Sequence, residues 1–229
     1  MNVHACSFAS AGFVRQQALQ STAFIDAGFP CERVHTHDDS ILAGAFTDRI
    51  PQATESNRYG YFCFKPYFIE KVLSSIPYGD ILLYLDVNDR PLPGIANYID
   101  SQFSNRGNLN LLAAGTNYPN ARHMSRYHRE CLEFELLLGS RLICQPEAGA
   151  LAIRNTPESR ALLRAWFELT LVQALALLKQ DDTNSRHDQE TLYLMSRLNK
   201  SVQIESWWYF KLTGRGIRKY IDWEAFRHG

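Results

Sequence analysis

A short apolar run followed by oxygen-bearing side chains is the chemically most informative part of the sequence. Residues 81–85 are five consecutive apolar or aromatic residues. Such a run predicts a strand that is covered on both faces. Pro91 and Pro93 prevent this strand from continuing. Between the run and the prolines lie three candidate ligand residues, Asp86, Asn88 and Asp89.

These three residues have the side chains that a divalent cation requires. In open α/β sheets ligands bind outside the carboxyl ends of strands. Mg2+ and Mn2+ prefer oxygen donors and often share their ligand shell with substrate phosphates. Asp86 and Asn88, two positions apart, could face one ion, with Asp89 beside them. The alternative is structural, because Asp and Asn also cap turns.

Two cations flank an aromatic segment upstream of the predicted strand. Arg58 and Lys65 are separated by the residues Tyr-Gly-Tyr-Phe-Cys-Phe. The two cations could hold a diphosphate while one of the rings stacks on a base. Alternatively, the rings belong to the hydrophobic core and both cations are solvated.

A polar triplet stands downstream, where a loop enters an apolar helix. His187, Asp188 and Gln189 offer a possible metal ligand, a carboxylate that can stabilise positive charge or act as a base, and an amide donor. Asp188 could instead cap the helix. Glu147 could bind an acceptor hydroxyl, with Gly149 permitting close approach, or it is an ordinary loop residue.

The periodicity of apolar residues places these side chains in an α/β framework. A strand at 3–8, a helix at 13–27 and a strand at 34–36 form a βαβ opening, which predicts a mainly parallel sheet. Further elements are predicted as helices at 67–75, 157–179 and 188–198 and as strands at 109–114, 149–153 and 202–205.

Composition limits the kinds of partner and compartment. The 229 residues suit a single domain, 1–229, and 24 basic residues balance 24 acidic ones, so no global field attracts nucleic acid. The five cysteines form no C-x-x-C pair, which favours buried thiols over a disulfide framework or a zinc site. With no signal peptide recognisable at the start of the chain, a cytoplasmic location is expected.

The last residues, 205–229, interleave aromatic with basic side chains. We expect this segment to dock on the domain and bury its rings. The alternatives are a peripheral contact with a membrane surface and a wall on which a sugar stacks.

Three segments in this order resemble bacterial and viral polysaccharide-type glycosyltransferases of the GT-A fold. They are Arg-Tyr-Gly-Tyr-Phe-Cys-Phe-Lys-Pro-Tyr at 58–67, Tyr-Gly-Asp-Ile-Leu-Leu-Tyr-Leu-Asp-Val-Asn-Asp at 78–89, and Arg-His-Asp-Gln at 186–189. The resemblance implies a mainly parallel mixed sheet flanked by helices, a Rossmann-like fold that binds a nucleotide sugar. Phe62 and Phe64 stand where the family often has tryptophan.

The resemblance also implies roles for individual residues. Asp86 would begin the D-x-D motif, whose carboxylates bind Mg2+ or Mn2+ and the donor diphosphate. Asn88 departs from that motif, and Asp89 could substitute as the second carboxylate. The Asp188–Gln189 pair resembles that of glycogenin and related retaining enzymes, which implies that Asp188 lies beside the transferred sugar. Gln189 would contact that sugar or the β-phosphate.

The sequence therefore predicts a transferase that moves a sugar from a nucleotide diphosphate sugar, of UDP or GDP type, to a glycan or lipid-linked acceptor. Arg58, Lys65 and Asp86 would bind the donor phosphates, and His187 would join the metal ligands. Two alternatives remain: a metal-dependent phosphoesterase or nuclease, against which the neutral charge argues, and a non-catalytic carbohydrate-binding protein.

Overall fold

The structure is a computed structural model that describes residues 1–54, 59, 62–119, 144–177, 187–205, 213–223, 225 and 226. Its strands are β1 (Val3–Phe8), β2 (Val34–His37), β3 (Ile81–Leu85), β4 (Arg90–Pro91), β5 (Leu111–Pro119), β6 (Cys144–Arg154), β7 (Val202–Glu205) and β8 (Ile221–Asp222). Its α-helices are α1 (Val14–Asp26), α2 (Ala45–Arg49), α3 (Phe64–Leu73), α4 (Ile95–Asn105), α5 (Pro157–Leu177) and α6 (His187–Leu198). Short 3-10 helices occupy Ala11–Phe13, Cys31–Arg33, Asp39–Leu42 and Ile217–Tyr220.

A six-stranded sheet with the order β2-β1-β3-β6-β5-β7 forms the centre of the described structure. Strand β1 is parallel to β2 and β3, and β5 is parallel to β7. Strand β6 is antiparallel to both β3 and β5, so it alone runs in the opposite direction. The carboxyl ends of the other five strands consequently lie along one edge of the sheet, which we call the carboxyl edge.

Apolar side chains cover both faces of the sheet. Successive residues of a strand point to opposite faces, and in β3 Leu82 and Tyr84 join the core beneath α3, α5 and α6. Ile81, Leu83 and Leu85 join a second core with residues of α1 and α4. All five β3 residues are at most 2% exposed, which explains why no polar residue interrupts the run. The predicted fold class, a mainly parallel mixed sheet flanked by helices, is confirmed.

Element boundaries differ from the predictions in a few places. Helix α3 begins at Phe64, so Pro66 lies inside its first turn, where a missing N–H leaves no hydrogen bond unmade. Strands β5 and β6 are longer than predicted. The prediction of buried thiols is correct for Cys6 and Cys63 but wrong for Cys31, which is exposed.

The described part of the C-terminal segment lies against the carboxyl edge. The amide of Leu92 donates to the carbonyl of Tyr220, and the amide of Phe226 donates to the carbonyl of Asn88. Ile217 and Ile221 are buried in the second core. Among the described helices, none combines the length and the apolar character that crossing a membrane requires.

Candidate functional site

The end of β3 is held rigidly by its neighbours. The amide of Asp86 donates to the carbonyl of Gly149 in β6 at 2.7 Å, and the amide of Asp89 donates to the carbonyl of Asp86 at 2.9 Å, which closes a turn. The side-chain amide of Gln20, on α1, donates to the carbonyls of both Asp86 and Asp89 at 2.7 Å. These bonds fix where the Asp86 side chain leaves the sheet.

A buried ammonium group joins two of the predicted site segments. The Nζ atom of Lys65 lies 3.1 Å from Oδ2 of Asp86 and 3.2 Å from Oδ2 of Asp188. The side chains of Lys65 and Asp188 are only 5% and 4% exposed, whereas that of Asp86 is 38% exposed. The hydroxyl of Tyr84 donates to the other oxygen of Asp86, Oδ1, at 2.6 Å. Both carboxylate oxygens of Asp86 are thus held by protein donors, while its side chain stays 38% exposed.

The two carboxylates of this cluster stabilise the Lys65 cation between them. Burial alone would lower the pKa of Lys65, but the carboxylates of Asp86 and Asp188 outweigh it and the pKa is raised. Lys65 is therefore a cation at neutral pH. Burial and the negative charge of Asp86 raise the pKa of Asp188, while the Lys65 ammonium opposes them. Burial, followed by the Asp86 carboxylate, raises the pKa of Tyr84, so its hydroxyl remains a donor.

Strained backbone conformations occur just before α3, the helix that carries Lys65. Tyr59 and Phe62 have φ angles of 50° and 71°, in the left-handed region that non-glycine residues seldom occupy. Such positions cost of order 1–3 kcal/mol each and cluster at functional sites. The ring of Phe62 lies 4.9 Å from Nζ of Lys65, within range of a cation–π contact. The strained turn thus places an aromatic face against the buried cation.

Helix α6 supplies the second half of the site. Asp188 and Gln189 are the second and third residues of α6. The indole N–H of Trp166, on α5, donates to the backbone carbonyl of Asp188 at 3.1 Å, which ties the first turn of α6 to α5. The amide of Gln189 donates to Oε1 of Glu147 on β6 at 2.9 Å. Glu147, predicted from its setting among small residues, therefore joins the cluster through Gln189.

At Gly149 the Asp86 carboxylate occupies the space that a side chain would fill. A Cβ at this position would lie 2.6 Å from Oδ2 and 3.0 Å from Cγ of Asp86, closer than real Cβ contacts. The close approach that the sequence suggested at Gly149 is thus an approach to Asp86, within the protein itself.

The oxygen donors after β3 fit a cation that takes further ligands from a substrate. Oδ1 of Asn88 is buried without a hydrogen-bond partner in the described structure, and the Asp86 carboxylate is half open. Among the described residues no three His, Cys, Asp or Glu side chains form a metal-binding group. Mg2+ commonly uses one or two protein oxygens together with substrate phosphates and water. Asp86 and Asn88 match that pattern, and Asp89 is 5% exposed beside them.

Two predicted site residues lie outside the described part: Arg58 entirely, and His187 in its side chain. The others meet at the carboxyl edge. Sequence reasoning missed Tyr84 and Gln20, which hold Asp86 in place. Tyr84 was open to prediction, since residues two apart in a strand share a face. Gln20 was not, because its partner lies 66 residues away in the sequence.

Comparison of the sequence with protein-family models and with curated proteins finds no match. Solved structures match in fold. Mouse xyloside xylosyltransferase 1, in its apo form, matches with a TM-score of 0.55 and 10% identity over 96% of this chain and 93% of that one.

Two other glycosyltransferases are similar in the same way. The galactosyltransferase LgtC, solved with donor and acceptor sugar analogs, gives a TM-score of 0.53 at 11% identity over 89% of this chain and 73% of its own. A glycosyltransferase involved in glycosylation of the major capsid of PBCV-1 gives a TM-score of 0.51 at 10% identity, over 90% of this chain and 83% of its own. At these identities the similarity concerns the fold, and the chain has a GT-A-type fold, as the sequence predicts.

Proposed function

We propose that this protein transfers a sugar from a nucleotide diphosphate sugar, of UDP or GDP type, to a glycan or lipid-linked acceptor. The observation that carries the proposal is the Lys65 ammonium held between Asp86 at the end of β3 and Asp188 at the start of α6. This bridge places a solvent-accessible carboxylate next to a buried one at the carboxyl edge, where α/β sheets bind ligands. The GT-A-type fold supports the same conclusion.

The donor diphosphate is assigned to the neighbourhood of Asp86, the most exposed carboxylate of the cluster. Arg58 would clamp its phosphates, as the sequence predicts. Lys65 contributes positive charge to this region and aligns the carboxylates of Asp86 and Asp188, both of which its ammonium contacts. Mg2+ or Mn2+, held by Asp86 and Asn88 with Asp89 or His187 as further ligands, would neutralise charge developing on the leaving diphosphate.

Asp188, Gln189 and Glu147 are assigned to the sugar side. A carboxylate beside the anomeric carbon stabilises the positive charge that develops there in the transition state. Asp188 is suited to this role because burial strengthens its electrostatic effect. Gln189 links it to Glu147, which would contact the acceptor hydroxyl. We expect retention of anomeric configuration, which NMR of the product would show; an inverted product would overturn that part of the proposal.

Calorimetry with a panel of nucleotide diphosphate sugars, with and without Mn2+, tests the proposal. We expect one donor to bind, and Asp86→Asn to weaken it about tenfold, equivalent to ~1.4 kcal/mol. Asp188→Asn should leave donor affinity nearly unchanged and lower transfer by about 10²-fold or more, as the loss of one electrostatic stabiliser does. Asp48→Asn, on an exposed position of α2, is the matched control.

Three outcomes would decide against the assignments. If no nucleotide diphosphate binds with or without Mn2+, the transferase proposal fails. If donor binds but no acceptor is ever glycosylated, the protein is a binding module. If Asp86→Asn leaves metal-dependent binding unchanged, Asp86 is not a ligand. The phosphoesterase alternative is not favoured, since the solved structures of similar fold described above are glycosyltransferases.

A further inference from the structure

A cavity opens at the edge of the sheet opposite the carboxyl edge. Its volume is about 260 Å³, and it is lined by Tyr78, Pro157, Arg160 and Arg164. Ile81, the first residue of β3, pairs with Arg154, the last residue of β6. The turn before β3 therefore meets the start of α5 here, at the far end of β3 from Asp86.

The walls of this cavity are held by a buried asparagine. Asn155, which is fully buried, donates through its side-chain amide to the carbonyl of Ile76 at 2.7 Å and accepts from Nε of Arg160 at 2.8 Å. Its backbone carbonyl accepts from the amide of Gly79 at 2.9 Å. Gly79 has a φ of 85°, which permits the tight turn that presents Tyr78. The turn at Gly79 and the side chain of Arg160 are thus held in place by Asn155.

The lining combines donors for an anion with an exposed ring. Because Nε of Arg160 is bonded to Asn155, its planar fork is oriented, and its two terminal nitrogens make no hydrogen bond to the described residues. Arg164 is 68% exposed and uses Nε and Nη2 on Glu70, so its charge is partly balanced. Tyr78 is 75% exposed. Arginine forks bind carboxylate and phosphate groups in two-pronged geometry.

We propose that this cavity binds a single sugar unit that carries a phosphate or carboxylate group. The fork of Arg160, helped by Arg164, holds the oxyanion, and the ring of Tyr78 covers an apolar face of the sugar. The cavity is slightly smaller than the ~300 Å³ at which pockets for drug-sized ligands begin, a size that suits a single sugar ring. This inference is independent of the transferase proposal, because it uses none of the residues at the carboxyl edge.

Calorimetry on the full chain, with glucose 1-phosphate, glucuronate, glucose and inorganic phosphate as probes, tests this site. We expect the two anionic sugars to bind at least about tenfold more tightly than glucose or phosphate alone. Tyr78→Ala and Arg160→Gln should each weaken that binding about tenfold. Asp86→Asn, at the carboxyl edge, and Arg215→Gln, at another exposed arginine, should leave the binding of the anionic sugars unchanged.

Arg160→Gln keeps an amide N–H at the position of Nε, so the bond to Asn155 is retained while the two terminal nitrogens are lost. Arg164→Gln is a second variant that leaves this wall intact. If Asp86→Asn weakens binding of the anionic sugars while Tyr78→Ala does not, these sugars bind at the carboxyl edge and the proposal is overturned. Equal affinity for phosphate and glucose 1-phosphate would show that Tyr78 does not contact the sugar ring, and the cavity would then be a phosphate site only. Absence of binding by both anionic sugars would overturn the proposal entirely.

Discussion

At the scale of single residues, Lys65 is the group on which the site depends. Its ammonium is nearly inaccessible to water and contacts the carboxylates of Asp86 and Asp188. A buried ion pair contributes little net stability when it forms, but removal of one partner leaves a buried charge unpaired. Lys65 therefore matters to both the fold and the site.

Lys65→Met should lower the free energy of unfolding by about 3–5 kcal/mol, because Asp188 loses its counter-charge while it remains buried. Chemical denaturation measures this change. The double variant Lys65→Met/Asp188→Asn removes the uncompensated charge and should recover part of the loss. If the double variant is no more stable than Lys65→Met, the ammonium does not act by neutralising Asp188.

Gly149→Ala should displace the Asp86 carboxylate, since the added Cβ would lie 2.6 Å from its Oδ2 atom. We expect donor affinity to fall about tenfold and stability to fall by about 1–3 kcal/mol, as for other overpacked positions. Gly107→Ala is the matched control, because a Cβ there meets no atom within 4 Å. Equal donor binding in the two variants would show that the position of Asp86 is not critical.

At the scale of elements, the parallel strands β1 and β2 place two histidines in contact. Nδ1 of His4 lies 3.1 Å from Nε2 of His35, and the rings stack with centroids 5.3 Å apart. On its other side His4 meets the Asp80 carboxylate. His37, two residues further along β2, is influenced in turn by Asp38 and Lys71.

Burial, followed by the positive charges that His4 and His37 can acquire, lowers the pKa of His35. In the unfolded chain the pKa of a histidine is about 6.5. Below that pH His35 binds a proton in the unfolded chain, whereas in the folded chain it binds one only at lower pH. Stability should therefore fall as the pH drops through that value, until the pH reaches the folded pKa. His35→Gln should reduce the fall in thermal midpoint between pH 7 and pH 5. An equal fall in both proteins would contradict this assignment.

At the scale of the whole molecule, the carboxyl edge is covered by chain from far along the sequence. We propose that residues 205–229 dock on the domain as one segment. In the described part of that segment, the Glu205 carboxylate accepts from the amide of Ile217 and from the hydroxyl of Tyr98. Burial, followed by the hydrogen bond to Glu205, raises the pKa of Tyr98, so its hydroxyl remains a donor.

Glu205→Ala should loosen this segment, because it removes both acceptors at once. Hydrogen exchange at the Ile217 amide should accelerate about tenfold for each ~1.4 kcal/mol of local stability lost. Glu32→Ala, at an exposed position, is the control. Unchanged exchange at Ile217 would show that other contacts hold the segment.

Local sequence was sufficient to predict the elements that carry the site. The unbroken apolar run of β3 and the Pro and Gly residues that end helices and strands are short-range signals, since backbone sterics and burial act within a few residues. The start of α5 follows from Thr156, whose hydroxyl accepts from the amide of Ser159 at 3.1 Å. The start of α3 was misplaced because Pro66 fits any position in a first helical turn.

The sequence by itself determined which groups could do chemistry: Asp86 and Asn88 after a buried strand, Lys65 at the start of α3, and Asp188 and Gln189 at the start of α6. The tertiary structure alone decided how they are used. It buried Lys65 between two carboxylates where exposure to phosphate was expected, and it linked Gln189 to Glu147. Burial and pairing arise from residues far apart in the chain, and no local pattern encodes which of them will meet.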